Sequence, residues 1–280
     1  MRWPMARQPE TSDAFWRRVL VDGHQLLRFE LRLFRYLPGP PRCKGCHSPF
    51  GGIGGKLVGL FGYTPSRKNP NVCALCCERL LKGGAEADIA VLFADVRGST
   101  ALGERLEPSA YASLLNRFYR AATEVLIRYD AIVDKLIGDE VMALFIRGIC
   151  GPEYHRRAFE AASALFEAVG YGRRGGEPWI PIGGAVASGL AYVGNVGGED
   201  VVDFTALGDT VNTASRLASV AEAGEILLTE SVREKLAMYP VEFDTRTLNL
   251  RGKETPLQVS VFKFASIRSP IEMSDRCHSR

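Results

Sequence analysis

The chain has 280 residues, 46% apolar and 24% charged, which is enough apolar content to bury a core and argues against long disorder. No apolar run reaches the roughly 18–20 residues that cross a bilayer: the best candidate, Gly51 to Gly62, is short and holds Lys56. The net charge of +3 hides an asymmetry, because residues 1–86 hold 14 Lys and Arg against 6 Asp and Glu, and the remainder holds 21 against 26.

The N-terminus has no compact apolar stretch with a small-residue cleavage site, so a cytoplasmic location is the expectation. Five of the seven cysteines, Cys43, Cys46, Cys73, Cys76 and Cys77, lie in the basic part. An odd number without a secretion signal argues for metal or redox chemistry over a disulfide framework.

In chain order, residues 12–37 predict a helix, with Phe15, Val19, Leu26, Leu33 and Leu37 recurring at helical steps. Pro38-Gly39-Pro40-Pro41 ends it. Residues 43–77 are rich in Gly, Pro and Cys, and Lys82-Gly83-Gly84-Ala85 reads as a linker. Ile89 to Val96 predicts a buried strand, and residues 99–129 a helix in two pieces around Pro108. Ala131–Ile137 and Val141–Ile146 predict two strands joined by the tight turn Gly138-Asp139-Glu140. A helix at 152–169 follows, then one or two glycine-broken strands over 180–196, a strand at 201–207 and a helix from about 210 to 221. Strands at 225–229, 241–250 and 258–264 and a short helix at 231–237 complete the pattern, and the tail 267–280 is polar and reads as loose. The order from 89 to 207 is β-α-β-β-α-β, an α+β, ferredoxin-like split-βαβ arrangement.

Two aspartates carry the chemistry. Asp95 ends the first strand and Asp139 sits in the hairpin turn, so a split-βαβ sheet brings both carboxylates together. Paired carboxylates at a strand end suit Mg²⁺, which takes oxygen ligands and substrate phosphates. Gly98-Ser99-Thr100 opens the next helix, whose free N–H groups suit a phosphate. Taken singly, each aspartate is also an ordinary cap or turn residue.

The run Phe93-Ala94-Asp95-Val96-Arg97-Gly98-Ser99-Thr100 resembles the first metal motif of the class III nucleotide cyclases. Lys135-Leu136-Ile137-Gly138-Asp139-Glu140 resembles their second motif, and residues 203–217, which include Asp203-Phe204-Thr205 and Asn212 to Arg216, resemble their third. The likeness covers about residues 88–265. It implies an adenylate cyclase that converts ATP to 3′,5′-cyclic AMP and pyrophosphate for intracellular signalling.

By that resemblance Asp95 and Asp139, with the Val96 carbonyl, bind two Mg²⁺ or Mn²⁺ ions. Lys135 and Thr205 select the base, and Asn212 and Arg216, one helical turn apart, hold the ribose and the transition-state phosphate. Lys253 touches the terminal phosphates, and Gly98, Ser99 and Thr100 lie beside the substrate. Guanylate-forming relatives usually place Glu and a small Cys or Ser at the base-selecting positions. Some relatives carry Arg at the position of Leu190, which puts one phosphate contact in doubt. The family's sites are shared between subunits, so a homodimer is implied. Alternatives are a guanylate cyclase on the same fold and a silent nucleotide- or DNA-binding regulator. A diguanylate cyclase fits less well, since its turn has a second glycine and an aromatic residue.

Cys43-x2-Cys46 and Cys73-x2-Cys76 have the spacing of a tetrahedral thiolate site of the zinc-ribbon kind, and spacing alone leaves zinc and an iron–sulfur cluster both open. His47 and Cys77 are further candidate ligands. Gly51-Gly52-Ile53-Gly54-Gly55-Lys56 falls short of a phosphate loop, with Leu57 where Ser or Thr is needed. The expected division is a basic, cysteine-rich regulatory segment at 1–86, a catalytic domain at 87–266 and a tail at 267–280. No nucleic-acid partner is expected, because the basic part shows no aromatic-basic stripe. It is expected to lie on the dimer surface or to dock on the acidic part.

Overall fold

The computed structural model describes residues 12–22, 34, 36–44, 46–77, 83–172, 177–197, 202–237, 242–253 and 255–264. The expected tail at 267–280 and the middle of the first expected helix lie outside them. In the N-terminal part the elements are α1 (Ser12–Asp22), α2 (Gly52–Gly59) and α3 (Ala74–Cys77). Next come β1 (Gly83–Val96), α4 (Ser99–Arg105), α5 (Pro108–Arg128), β2 (Ile132–Ile137) and β3 (Glu140–Ile146). After these lie α6 (Arg147–Cys150), α7 (Tyr154–Val169), β4 (Ile182–Gly197), β5 (Val202–Leu207) and α8 (Asp209–Val220). The last are β6 (Glu225–Thr229), α9 (Glu230–Lys235), β7 (Asp244–Leu248) and β8 (Leu257–Lys263).

The strands form one eight-stranded sheet in the order β2-β3-β1-β4-β6-β8-β7, with β5 paired to the second half of β4. The core of that order is the expected split βαβ. β1 runs antiparallel to β3 and β4, and β4 runs parallel to β6.

β1 is apolar at every position from Ile89 to Ala94 because both of its faces are covered. Ala90, Leu92 and Ala94 point to α5 and α7, where Phe118, Leu126, Phe159 and Phe166 fill the layer. Ile89, Val91 and Phe93 point the other way, toward α8 and toward Trp16, Leu20, Phe34 and the cysteines of the N-terminal part. The basic, cysteine-rich part is thus packed against the sheet, and its charge meets acids there: Lys44 pairs with Asp130, and Lys68 pairs with Asp134 and Asp203.

Two expectations are corrected. Gly83-Gly84-Ala85 is no linker: it opens β1, which pairs with β4 from Gly83 opposite Asn195 to Val96 opposite Ile182. The strand therefore begins before the boundary expected at 86/87. The glycines are there because two backbones cross closely, and a Cβ on Gly84 would lie 2.3 Å from the Val193 carbonyl oxygen. Likewise 182–197 is one strand, unbroken by its glycines. A Cβ on Gly184 would press on the Phe93 carbonyl oxygen at 3.1 Å and on the Phe166 ring at 3.2 Å.

The helix pair around Pro108 matches the expectation, with Pro108 at the first position of α5.

Candidate active site

Asp95 is the next-to-last residue of β1 and pairs across the ladder with Glu140, the first residue of β3. Ile137 also faces Glu140, so Gly138-Asp139 is a two-residue hairpin loop. Gly138 takes φ 60 at its first position, as such tight turns require. The Val96 N–H donates to the Asp139 carbonyl at 3.1 Å, and the Tyr119 hydroxyl of α5 donates to the Gly138 carbonyl. The turn is thereby tied to the strand end, and the Asp95 and Asp139 carboxyls come within hydrogen-bond reach.

Arg97 donates to Asp95 and spans to the Ser219 and Ala221 carbonyls at the end of α8, at 3.0 and 3.2 Å. Gly98, at φ 72, leads into α4, whose first residues are Ser99 and Thr100.

Burial raises Asp95 to about 6, with Asp139 adding to the rise and Arg97 opposing it. Burial and the charges of Asp95 and Asp139 raise Glu140 to about 7. Three carboxyls this close repel one another's charge, and a cation would relieve the repulsion. A divalent ion bound at this carboxyl would have to displace its proton. Its affinity is therefore expected to weaken by up to about tenfold per pH unit below about pH 6. Mn²⁺ titrations across that range check it, and a flat profile contradicts it.

The second set of residues meets at β2 and β5. The ladder register of β2 shifts between Val133 and Lys135, so Asp134 is an extra, bulged residue. Beyond the bulge Lys135 pairs with Met142 and shares a face with Ile132, the face opposite α5 and α7. The Lys135 ammonium donates to Thr205 Oγ1 at 3.1 Å and to Asp203 Oδ2 at 2.7 Å. The Thr205 hydroxyl donates to Asp134 Oδ2 at 2.6 Å. The Asp134 side chain is fully buried.

Asn212 and Arg216 lie one turn apart on α8, whose Val211, Ala214, Leu217 and Ala218 pack on the sheet. That leaves Asn212 exposed and Arg216 half-buried on the rim. The Gly252 turn, at φ 76, packs against the Arg216 guanidinium, with a Cβ position 3.2 Å from Nη2. The next residue, Lys253, pairs with Asp209 at the start of α8. Leu190 is exposed, and its carbonyl accepts from the Thr210 hydroxyl at 2.8 Å. No hydrogen bond or ion pair among the described residues joins Asp95 or Asp139 to Lys135, Thr205, Asn212 or Arg216.

Sequence reasoning missed Arg97, Asp134, Asp203, Glu140 and Lys68. Four of them stand inside or beside the three motifs and could have been drawn from there. Nothing in the sequence pairs Lys68 with Asp134, 66 residues away.

The four cysteines also converge. The sulfurs of Cys43, Cys46, Cys73 and Cys76 all lie within 4.8 Å of one another and are buried. The Cys46 and Cys73 N–H groups donate to Cys43 Sγ at 3.4 and 3.1 Å. His47, at φ 60, turns the chain after Cys46 and is exposed, outside the cluster. The Cys77 side chain lies outside the described residues. Four thiols this close cannot all ionise alone. Hydrogen bonds from Cys46, Cys73 and Cys76 hold Cys43 below the ordinary thiol range, while Cys43 and Cys46 push Cys73 and Cys76 above it.

Such a sheet, with two acids at a strand end and an Asn–Arg pair on the helix after β5, sets the three motifs on the elements expected from the resemblance to the class III nucleotide cyclases. The family model "Adenylate and Guanylate cyclase catalytic domain" matches residues 82–263, and the chain belongs to that family. An adenylate cyclase of Anabaena cylindrica is 30% identical over 178 residues, covering 60% of this chain and 35% of its own length. An uncharacterized protein of Mycobacterium tuberculosis is 30% identical over 188 residues, 66% of this chain and 34% of that one. The chain thus spans about a third of the length of the curated relatives it matches.

Among solved structures, the adenylyl cyclase CyaB from P. aeruginosa aligns with a TM-score of 0.54 and 28% identity, over 65% of this chain and 96% of that one. The guanylyl cyclase Cya2 aligns with a TM-score of 0.58 at 24% identity, over 67% and 98%, and shows the fold alone. No helix among the described residues is long and apolar enough to cross a membrane.

Proposed function

We propose that the chain forms 3′,5′-cyclic AMP and pyrophosphate from ATP. The observation that carries this reading is the state of the Thr205 hydroxyl. Its proton is committed to Asp134, so it can offer only a lone pair on its other side, beside the donating ammonium of Lys135. An acceptor next to a donor matches the exocyclic amine and ring nitrogen of adenine. Guanine presents the reverse pattern at those two positions.

Asp95 and Asp139, with the Val96 carbonyl, fit a pair of Mg²⁺ or Mn²⁺ ions, since the donors are all hard oxygens and the carboxyls crowd each other. Such ions supply positive charge to the attacking and leaving oxygens of an in-line displacement at the α-phosphorus. Arg216, held against the Gly252 turn, brings a fixed cation to the charge that develops there, and Asn212 orients the ribose. Lys253, with Gly98, Ser99 and Thr100, completes the phosphate surroundings. The two sets of residues belong to different subunits of a homodimer, as the resemblance to the class III cyclases implies.

A zinc ion suits the four thiols better than a cluster. Zn–S bonds of about 2.3 Å put tetrahedral sulfurs about 3.8 Å apart. Cys46 and Cys73 are 3.6 Å apart, whereas a cluster interposes several irons and spreads its cysteines.

Incubation of the purified chain with Mn²⁺ and either ATP or GTP, with identification of the product, tests the proposal. Cyclic AMP is expected as the main product. Lys135→Glu is expected to lower kcat/KM for ATP by about a hundredfold or more, because a carboxylate then faces the ring nitrogen. A variant that keeps its ATP preference would refute the base-recognition argument.

A further inference from the structure

Lys68 carries the cysteine-rich segment to the base-selecting residues. It stands five residues before Cys73, in a stretch that docks along the free edge of β2: the Val133 N–H donates to the Lys68 carbonyl at 3.0 Å and the Asn69 amide donates to the Ala131 carbonyl at 2.8 Å. The Lys68 ammonium enters the cleft behind Lys135. It donates to Asp134 Oδ1 at 2.9 Å and to the Phe204 carbonyl at 2.7 Å, and lies 2.8 Å from Asp203 Oδ1. Burial pulls this ammonium down, but Asp203 and Asp134 hold it above the ordinary lysine value.

Two carboxylates and two ammonium groups therefore form a closed quartet: Lys68 and Lys135 both touch Asp134 and both touch Asp203. The acid at its centre, Asp134, is the one that takes the Thr205 proton.

We propose that Lys68 is a positioning residue for base selection, through which the cysteine-bound segment sets the preference for adenine over guanine. The proposal rests on the reading above, in which Lys135 and Thr205 face the base. With Lys68 in place, both carboxylates have a second cation, and Lys135 can turn a proton toward a ring nitrogen. Without Lys68, Asp134 and Asp203 share one ammonium and clamp it. Asp134 Oδ1 then keeps only the longer bond from Lys135, at 3.2 Å, and the carboxylate that takes the Thr205 proton loses one of its two cations, so the direction of the Thr205 hydroxyl is less firmly held.

The experiment measures the binding of 3′-deoxy-ATP and 3′-deoxy-GTP, which lack the attacking hydroxyl, to the full chain and to Lys68→Met. The metal content of the cysteines is measured in parallel. Lys68→Met is expected to weaken the ATP analogue about tenfold, the size of one charged hydrogen bond, to narrow the gap between the two analogues, and to leave the metal content unchanged. Lys68→Arg, which keeps the charge, is expected to restore the gap. The proposal is overturned if Lys68→Met binds both analogues as the natural chain does, or weakens both equally.

If Lys68→Met does not fold, the charge-balanced pair Lys68→Met with Asp203→Asn carries the test, since it frees Lys135 again. Binding of the ATP analogue near the natural level supports the electrostatic role, and loss of both analogues overturns it. Turnover of ATP by the natural chain is read separately, so a failure of the cyclase reading shows as missing product while the analogue affinities still judge Lys68.

Discussion

Chains carrying Asp95→Ala and chains carrying Asn212→Ala are each expected to be inactive, and mixing them is expected to restore activity. Asp95 belongs to the acid pair at the end of β1, and Asn212 to the rim of α8; no described bond connects them. On the proposed reading, removing Asp95 takes away a metal ligand and with it several kcal/mol of charge stabilisation, on the order of a 10³-fold fall in kcat. On the same reading, losing Asn212 would leave the ribose without its holder.

In a head-to-tail dimer each mutant chain still donates the half that its partner lacks. Random pairing makes about half of the dimers mixed, each with one intact site of two, so roughly a quarter of the natural activity should return. Mixtures are assayed after co-expression or subunit exchange. If nothing returns while mixed dimers are demonstrably present, the shared-site reading falls.

Replacing Cys73 or Cys76 by serine is expected to be the most damaging change to stability. All four sulfurs are buried within 4.8 Å of one another, in a stretch with six glycines between Cys46 and Cys73 in which Val58 and Val72 are buried while Ile53, Leu57, Leu60 and Phe61 are exposed. A thiolate-bound ion would supply folding energy to such a stretch. Its loss is expected to cost on the order of 5 kcal/mol, read as a lower denaturant midpoint, and a strong chelator should reproduce the shift in the natural chain. Elemental analysis should find one zinc per chain. A brown, iron-containing protein would replace the zinc reading with a cluster. An unmoved midpoint would mean that the sheet alone holds the segment.

The effect should extend to the cleft, because Lys68 is placed by the same stretch that ends in Cys73. A chelated chain is therefore expected to lose base discrimination as Lys68→Met does.

Much of this protein is legible in its residues taken in order. The apolar run at Ile89–Ala94, the helix restarting at Pro108 and the glycine-led turn before Asp139 each follow from local rules that involve few neighbours. The three motifs, in order and on the right elements, announce the family. The two CxxC pairs announce a thiolate site, and the structure supports it by closing the four sulfurs into one cluster that leaves out His47.

Composition misled where glycine has two meanings. In Gly83-Gly84 and along 182–197 it marks close crossing of backbones within a sheet, and a single chain segment does not reveal what crosses it.

The charge imbalance between residues 1–86 and the rest, the catalytic motifs and the cysteine pairs were determined by sequence alone. Three features were decided only by tertiary structure. The bulge at Asp134 turns Lys135 onto the cleft face, since one extra residue reverses every side chain beyond it. The Asp134 carboxylate, buried by that bulge, takes the Thr205 proton. Lys68 reaches both aspartates across 66 and more residues of chain, because the cysteine-rich segment packs on the edge of β2. The reason is common to all three: strand register and long-range ion pairs depend on partners distant in sequence, whereas motifs and helix signals are written in neighbouring residues.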